Sequence, residues 1–144
     1  MRPNSIIMFE RLFLASLALS AIASVISYDA VLAELNRDPA MEQLGLGGGF
    51  VVGMLALGMA IYLLLWFLIA RKASTVAKWI LVVFVALGLV SFAASLTASF
   101  TLDFSSLLAL VTYALEVAAV SCLFRSDAVA WLGGEKPADT TTFD

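Results

Sequence analysis

The residue with the clearest chemical potential in this sequence is an acid inside an apolar run. Glu116 lies within the stretch from Ser106 to Phe124, nine residues before Arg125. At about 1.5 Å per helical residue, the carboxyl lies about 13 Å from the charged end of that stretch, near the middle of a bilayer. Two polar side chains precede it by three and four residues, which places them on the same helix face. The candidate intramembrane polar site is therefore Glu116, Thr112 and Tyr113.

Glu116 has a structural and a functional interpretation. An ionised side chain at the centre of a membrane helix costs roughly 2.5–3.5 kcal/mol, so we expect this one to be protonated, hydrogen-bonded or facing water. No Lys or Arg lies at matching depth, and serines of the first or third helix, or Tyr62, are the expected hydrogen-bond partners. A structural acid would tie helices together or meet a partner protein. A functional acid would be the proton or cation site of a small transporter or channel.

The composition excludes several other functions. The chain has no histidine and one cysteine, Cys122, so we expect no catalytic triad, no ordinary metal site, no redox cysteine pair and no cofactor. A net charge of −3 gives no basic surface for nucleic acid. An enzyme acting on lipid would need a polar cluster at the membrane interface, and the sequence offers none. We therefore predict a non-enzymatic protein.

The overall composition predicts a membrane protein. Hydrophobic residues make up 62% of the 144 residues and charged residues 13%, and the mean hydropathy is +1.03. Soluble domains are about 45–50% apolar and about 25% charged. Long continuous apolar runs favour helices over a β-barrel. The expected fold is an all-α, up-down-up-down bundle of four transmembrane helices in a lipid bilayer.

The predicted membrane domain covers residues 1–132, followed by a polar cytoplasmic tail over residues 133–144. After the first span, residues 29–35 are expected to be helical and residues 40–44 to form a short surface helix. Arg2 and the small residues near Ala21 also fit a cleaved signal peptide, but Glu10 and Arg11 favour a retained helix. The four predicted spans are residues 6–28, 50–70, 77–96 and 106–124.

The charges predict the orientation. If both termini are cytoplasmic, seven of the eight basic residues lie on the cytoplasmic side, and only Arg37 lies outside. The opposite side then holds the acidic loop residues. The three tryptophans also lie near the predicted inner boundary, where aromatic belts form. The seven basic residues are Arg2, Arg11, Arg71, Lys72, Lys78, Arg125 and Lys136.

Small residues recur every four positions on two helices. Such faces let helix backbones approach closely in lipid. They are expected to pack within the bundle, although the same spacing fits a dimer face. The candidate packing faces are Ser16, Ser20 and Ser24 on the first helix, and Gly45, Gly49 and Gly53 leading into the second.

Three segments carry a resemblance to known proteins: residues 2–17, the turn at residues 70–74, and the exit from the last span at residues 124–131. They are similar to segments of small, uncharacterised four-helix bacterial inner-membrane proteins. The resemblance implies the fold and the membrane, but no activity. We therefore expect an inner-membrane structural or accessory protein that packs with itself or with a larger membrane complex. The alternative is a small oligomeric transporter or channel that uses Glu116.

Overall fold

The computed structural model describes residues 2–37, 47–98 and 104–133, and these form five helices without strands. Four of the helices are long and apolar enough to cross a membrane, as expected of a multi-pass membrane protein. The predicted all-α four-helix bundle is confirmed. The helices are α1 (Asn4–Leu35), α2 (Gly48–Lys72), α3 (Thr75–Ala98), α4 (Phe104–Cys122) and α5 (Ser126–Gly133).

The helix boundaries differ from the predicted spans at a few points. α1 continues through the predicted helical residues 29–35 without a break, because no glycine or proline interrupts residues 4–35. α4 ends two residues before the predicted limit, since residues 123–125 turn into α5. The short helix predicted at residues 40–44 and the tail over residues 134–144 lie outside the described residues.

The four long helices form a ring. α1 packs against α4 and α2, and α3 joins α2 to α4. Contacts between Ser5 and Asp127 and between Arg71 and Glu10 bring the start of α1 beside the ends of α4 and α2. Most of the described Lys and Arg residues lie at this end of the bundle, which we call the basic end. The opposite half, where α1 meets the start of α2, is called the open half.

Packing is dense only at the basic end. The buried side chains there include Phe9 and Phe13 of α1, Ile69 of α2 and Leu81 of α3, all fully buried. In the open half, α1 buries no side chain beyond Ser16, and α2 is exposed throughout residues 52–57. Beyond the basic end the bundle therefore buries fewer side chains, and space remains between the helices.

Polar contacts hold the basic end together. Pro3 occupies the cap position of α1, and no local side chain caps the helix. Asp127 of α5 does so instead, accepting from the Ser5 amide at 3.2 Å and from the Ser5 hydroxyl at 2.6 Å. A carboxylate at this position also complements the helix dipole. The hydroxyl hydrogen bond lowers the pKa of Asp127 below its usual value.

Candidate functional site: the cavity around Glu116

A cavity of about 380 Å³ occupies space that remains between the helices. It lies between α1, α2 and α4, and Gly88 of α3 completes its wall. Its apolar lining includes Leu17, Met54, Leu55 and Met59. Its polar lining consists of side chains from three helices: Ser20 and Ser24, Tyr62, and the predicted group Thr112, Tyr113 and Glu116. The structure thus brings the whole predicted polar site to one cavity.

The Glu116 carboxyl has no protein partner among the described residues. The side chain is 8% exposed and lines the cavity, yet no hydrogen bond or ion pair joins it to any residue within 2–37, 47–98 or 104–133. The expected serine partners are used locally: Ser16 donates to the Phe13 carbonyl and Ser24 to the Ser20 carbonyl, each at 2.8 Å. In a helix, the carbonyl three or four residues earlier lies within reach of a serine hydroxyl, and here that carbonyl accepts the hydroxyl hydrogen bond. The carboxyl therefore faces the cavity and makes no hydrogen bond to the serines of α1 or to Tyr62.

The two polar neighbours of Glu116 on α4, Thr112 and Tyr113, make different contacts. Thr112 donates to the Leu108 carbonyl at 2.9 Å, which satisfies its hydroxyl within the helix. Tyr113 turns its ring against Phe92, with ring centroids 4.8 Å apart. A Cβ at Gly88 would lie 3.2 Å from this ring, so glycine permits the close approach. Tyr113 is therefore held at the cavity wall by α3.

Tyr62 is the second aromatic residue of the cavity. Its ring stacks on Phe13 with centroids 6.0 Å apart and lies 6.2 Å from Phe84. A row of rings thus runs from the packed basic end to the cavity and fixes Tyr62 in place. Both tyrosines are close enough to Glu116 for an electrostatic interaction with it. The sequence indicated Tyr62 only as a possible hydrogen-bond partner.

Among residues 2–37, 47–98 and 104–133, no basic side chain lines this cavity. Arg2 and Arg71 pair with Glu10, at 2.8 and 3.7 Å. Lys78 is buried at the basic end, where its ammonium nitrogen lies 4.0 Å from the centre of the Phe124 ring. Among the described residues, no group of three His, Cys, Asp or Glu side chains could hold a metal ion.

Comparison with family models, with curated proteins and with solved structures gave no match to this chain. The resemblance to small bacterial inner-membrane proteins therefore stays a prediction. What the cavity can do must be argued from its own geometry.

The structure places the residues of the candidate packing faces in different surroundings. Ser16 is buried at the basic end, whereas Ser20 and Ser24 line the cavity. Gly49 and Gly53 are exposed, and a Cβ at either would meet nothing within 4 Å in the described structure. Gly45 lies outside the described residues. The sequence did not identify the methionines and Leu55 as cavity residues, because apolar side chains in a membrane helix carry no signal that distinguishes a cavity wall from a lipid-facing surface.

A second space lies beside the cavity. It lies between α1 and α2 in the open half, has a volume of about 430 Å³ and is almost wholly apolar. Val25 and Val52 form its outer part. Ser24, Leu55 and Met59 line both this space and the Glu116 cavity. The two spaces therefore adjoin each other along these three side chains.

Proposed function

We propose that this chain is a non-enzymatic, multi-pass protein of a bacterial inner membrane that binds a small solute at Glu116 as part of a transport or channel function. The observation that carries the proposal is a buried carboxyl that faces a cavity and has no partner among the described side chains. Polar groups buried in proteins are nearly always satisfied, and an unsatisfied one calls for an explanation. A ligand, a proton or a water molecule in the cavity would explain why the Glu116 carboxyl has no protein partner.

This geometry favours the functional interpretation over the structural one. A structural acid would tie two helices by a hydrogen bond, and the described residues contain no such bond to Glu116. An intramembrane acid that faces a cavity is the usual arrangement in ion and substrate pathways. Ser20 and Ser24 of α1 also contribute hydroxyl groups to the helix face that lines the cavity.

Cysteine accessibility tests whether the cavity admits aqueous solutes. Cys122 is the only cysteine of the chain and is buried, so Cys122→Ser provides a silent background. In that background, Met59→Cys places a thiol in the cavity, and Leu64→Cys places one on the exposed surface of the same helix. A charged methanethiosulfonate reagent should modify the cavity thiol at least about tenfold faster, because reaction needs a hydrated thiolate. Equal rates would contradict a solute-accessible cavity.

Proton flux tests the role of the acid itself. Proteoliposomes with a trapped pH dye should lose an imposed pH gradient faster with the native chain than with Glu116→Gln. Glu34→Gln is the matched control, since Glu34 is exposed and pairs only with Arg37. If Glu116→Gln folds normally and conducts as the native chain does, a proton pathway through this acid is wrong.

We propose that both termini lie in the cytoplasm. The proposal is supported by the basic residues at one end of the bundle and by the tendency of Lys and Arg to stay on the cytoplasmic side. Reporter fusions after Lys136 and within residues 34–43 should report opposite compartments. Two fusions that report the same side would contradict this topology.

A second candidate function is assembly with another copy or with a larger membrane complex. It is favoured by Gly49 and Gly53, whose helix face has no neighbour in the described structure. Small residues on such a face allow close contact between helices in lipid. The mass of the particle purified in mild detergent tests this candidate, and a monomer without partners would count against it.

A further inference from the structure

We infer that the ligand of the Glu116 cavity is a small organic cation with apolar substituents, such as an alkylammonium or arylalkylammonium ion. The inference rests on the proposed function and specifies its ligand class. It follows from the charge of the cavity, the character of its walls, and its size and connections.

A carboxylate at Glu116 has no opposite charge beside it. Among the described residues, the cavity lining contains no other Asp or Glu and no Lys or Arg. The arginines near the basic end pair with Glu10, and Lys78 contacts an aromatic ring there. A carboxylate in a low-dielectric site is strongly stabilised by an opposite charge a few ångströms away. A cationic ligand supplies the charge that the described protein side chains do not, whereas an anion would be repelled.

The walls favour an organic cation over a metal ion. Hard metal cations require about six oxygen ligands, and the described residues contain no metal-binding group of three acids, histidines or cysteines. The cavity instead offers the rings of Tyr62 and Tyr113 beside the acid. Aromatic faces attract ammonium groups, most strongly when the cation is desolvated. Apolar substituents would pack against Leu17, Leu55 and Met59.

The size and connections of the cavity agree with this ligand class. Its volume of about 380 Å³ is at the lower end of the 300–1,000 Å³ range of pockets for organic ligands. An apolar space between α1 and α2 adjoins the cavity and shares Ser24, Leu55 and Met59 with it. Its lining suits the apolar substituents of such a cation.

Three probes of nearly equal shape test the inference. Benzyltrimethylammonium carries the positive charge, neopentylbenzene is its neutral isostere, and phenylmethanesulfonate is an anion of similar size. Binding to the full-length chain in mild detergent is measured by calorimetry or by ligand-observed NMR. The cation should bind at least about tenfold more tightly than the neutral isostere, because only the cation gains the ion pair and the aromatic contacts. The anion should not bind.

Two matched variants identify the acid responsible. Glu116→Gln keeps the shape of the side chain and should remove the preference for the cation while leaving the neutral isostere unaffected. Glu34→Gln changes an exposed acid and should alter the binding of neither the cation nor the neutral isostere. Thermal melts establish that each variant is folded.

The outcomes separate the inference from the proposed function. If the neutral isostere binds as well as the cation, and Glu116→Gln weakens neither, the ligand class is wrong while a solute-binding cavity stands. If the cation preference survives in Glu116→Gln, the site of the charge is wrong, and the inference fails with it. If none of the three probes binds the native chain and a thiol at position 59 is inaccessible, both the inference and the proposed function are wrong.

Discussion

Replacing the buried acid by leucine should make this protein more stable. In most folded proteins, loss of a buried polar side chain is destabilising because a hydrogen-bond partner is lost with it. Glu116 has no such partner among the described residues, so Glu116→Leu removes a polar group that folding places in poor surroundings. Leucine has a similar volume and suits a cavity wall that already includes Leu17 and Leu55.

The size of the effect follows from the cost of an unsatisfied buried polar group, about 1–3 kcal/mol. A water molecule needs only about 10–15 Å³, so the cavity of about 380 Å³ has ample room for water that would reduce this cost. We therefore expect Glu116→Leu to raise the free energy of unfolding by about 1 kcal/mol. Glu116→Gln should be nearly neutral, and Glu116→Ala should change stability by less than about 0.5 kcal/mol because no hydrogen bond is lost.

Thermal unfolding in mild detergent, followed by circular dichroism, measures these differences. A gain of about 1 kcal/mol corresponds to roughly 3–4 °C in the midpoint for a chain of this size. Ser121→Leu is the matched control: Ser121 lies on the same helix but is exposed, and its hydroxyl donates to the Ala118 carbonyl at 2.7 Å. It should leave the midpoint unchanged. A loss of about 1–2 kcal/mol in Glu116→Leu and Glu116→Ala would show that the acid does tie helices together, and would refute the reasoning.

Two further predictions concern other parts of the bundle. The Ser5 hydroxyl lowers the pKa of Asp127 below the usual 3.8, so the contact stabilises the fold fully above that value and is lost as the pH falls through the lower folded-state pKa. Melting midpoints from about pH 6 to pH 3 should therefore fall less steeply in Asp127→Asn and Ser5→Ala than in the native chain, and equal slopes would contradict the contact. Gly53→Ala meets nothing within 4 Å and should stabilise the chain by up to about 1 kcal/mol through helix propensity. Gly88→Ala should lose about 1 kcal/mol or more relative to Gly53→Ala, because its Cβ would lie 3.2 Å from the Tyr113 ring, and equal effects of the two changes would refute the close packing at Gly88.

The helices of this protein are predictable from sequence because their signal is local. A run of about 20 apolar residues is enough to indicate a membrane helix, and Arg71 and Lys72 mark the end of α2 directly. Glu116 is equally visible, since an acid in such a run is rare. Its neighbours Thr112 and Tyr113 follow from helical spacing alone.

The contacts between distant segments could not be predicted in this way. Asp127 caps α1 from a position 122 residues away from Ser5, and a sequence read locally suggests a nearby cap instead. The spacing of Ser20 and Ser24 is the same for a packed helix face and for a cavity wall, so only the packing of the helices in three dimensions distinguishes the two. Whether Glu116 has a partner depends likewise on how three helices meet, which a single sequence does not contain.

The uneven packing of the bundle gives the site a physical basis. Rigid interactions are concentrated at the basic end, where aromatic rings, buried aliphatic side chains and the Asp127 contact hold four helices together. Local opening needs least energy where few apolar contacts are made, and in this chain that is the open half. The stability of the basic end is then what allows an unsatisfied acid to be retained, because a marginally stable protein can carry such a cost only if other contacts offset it.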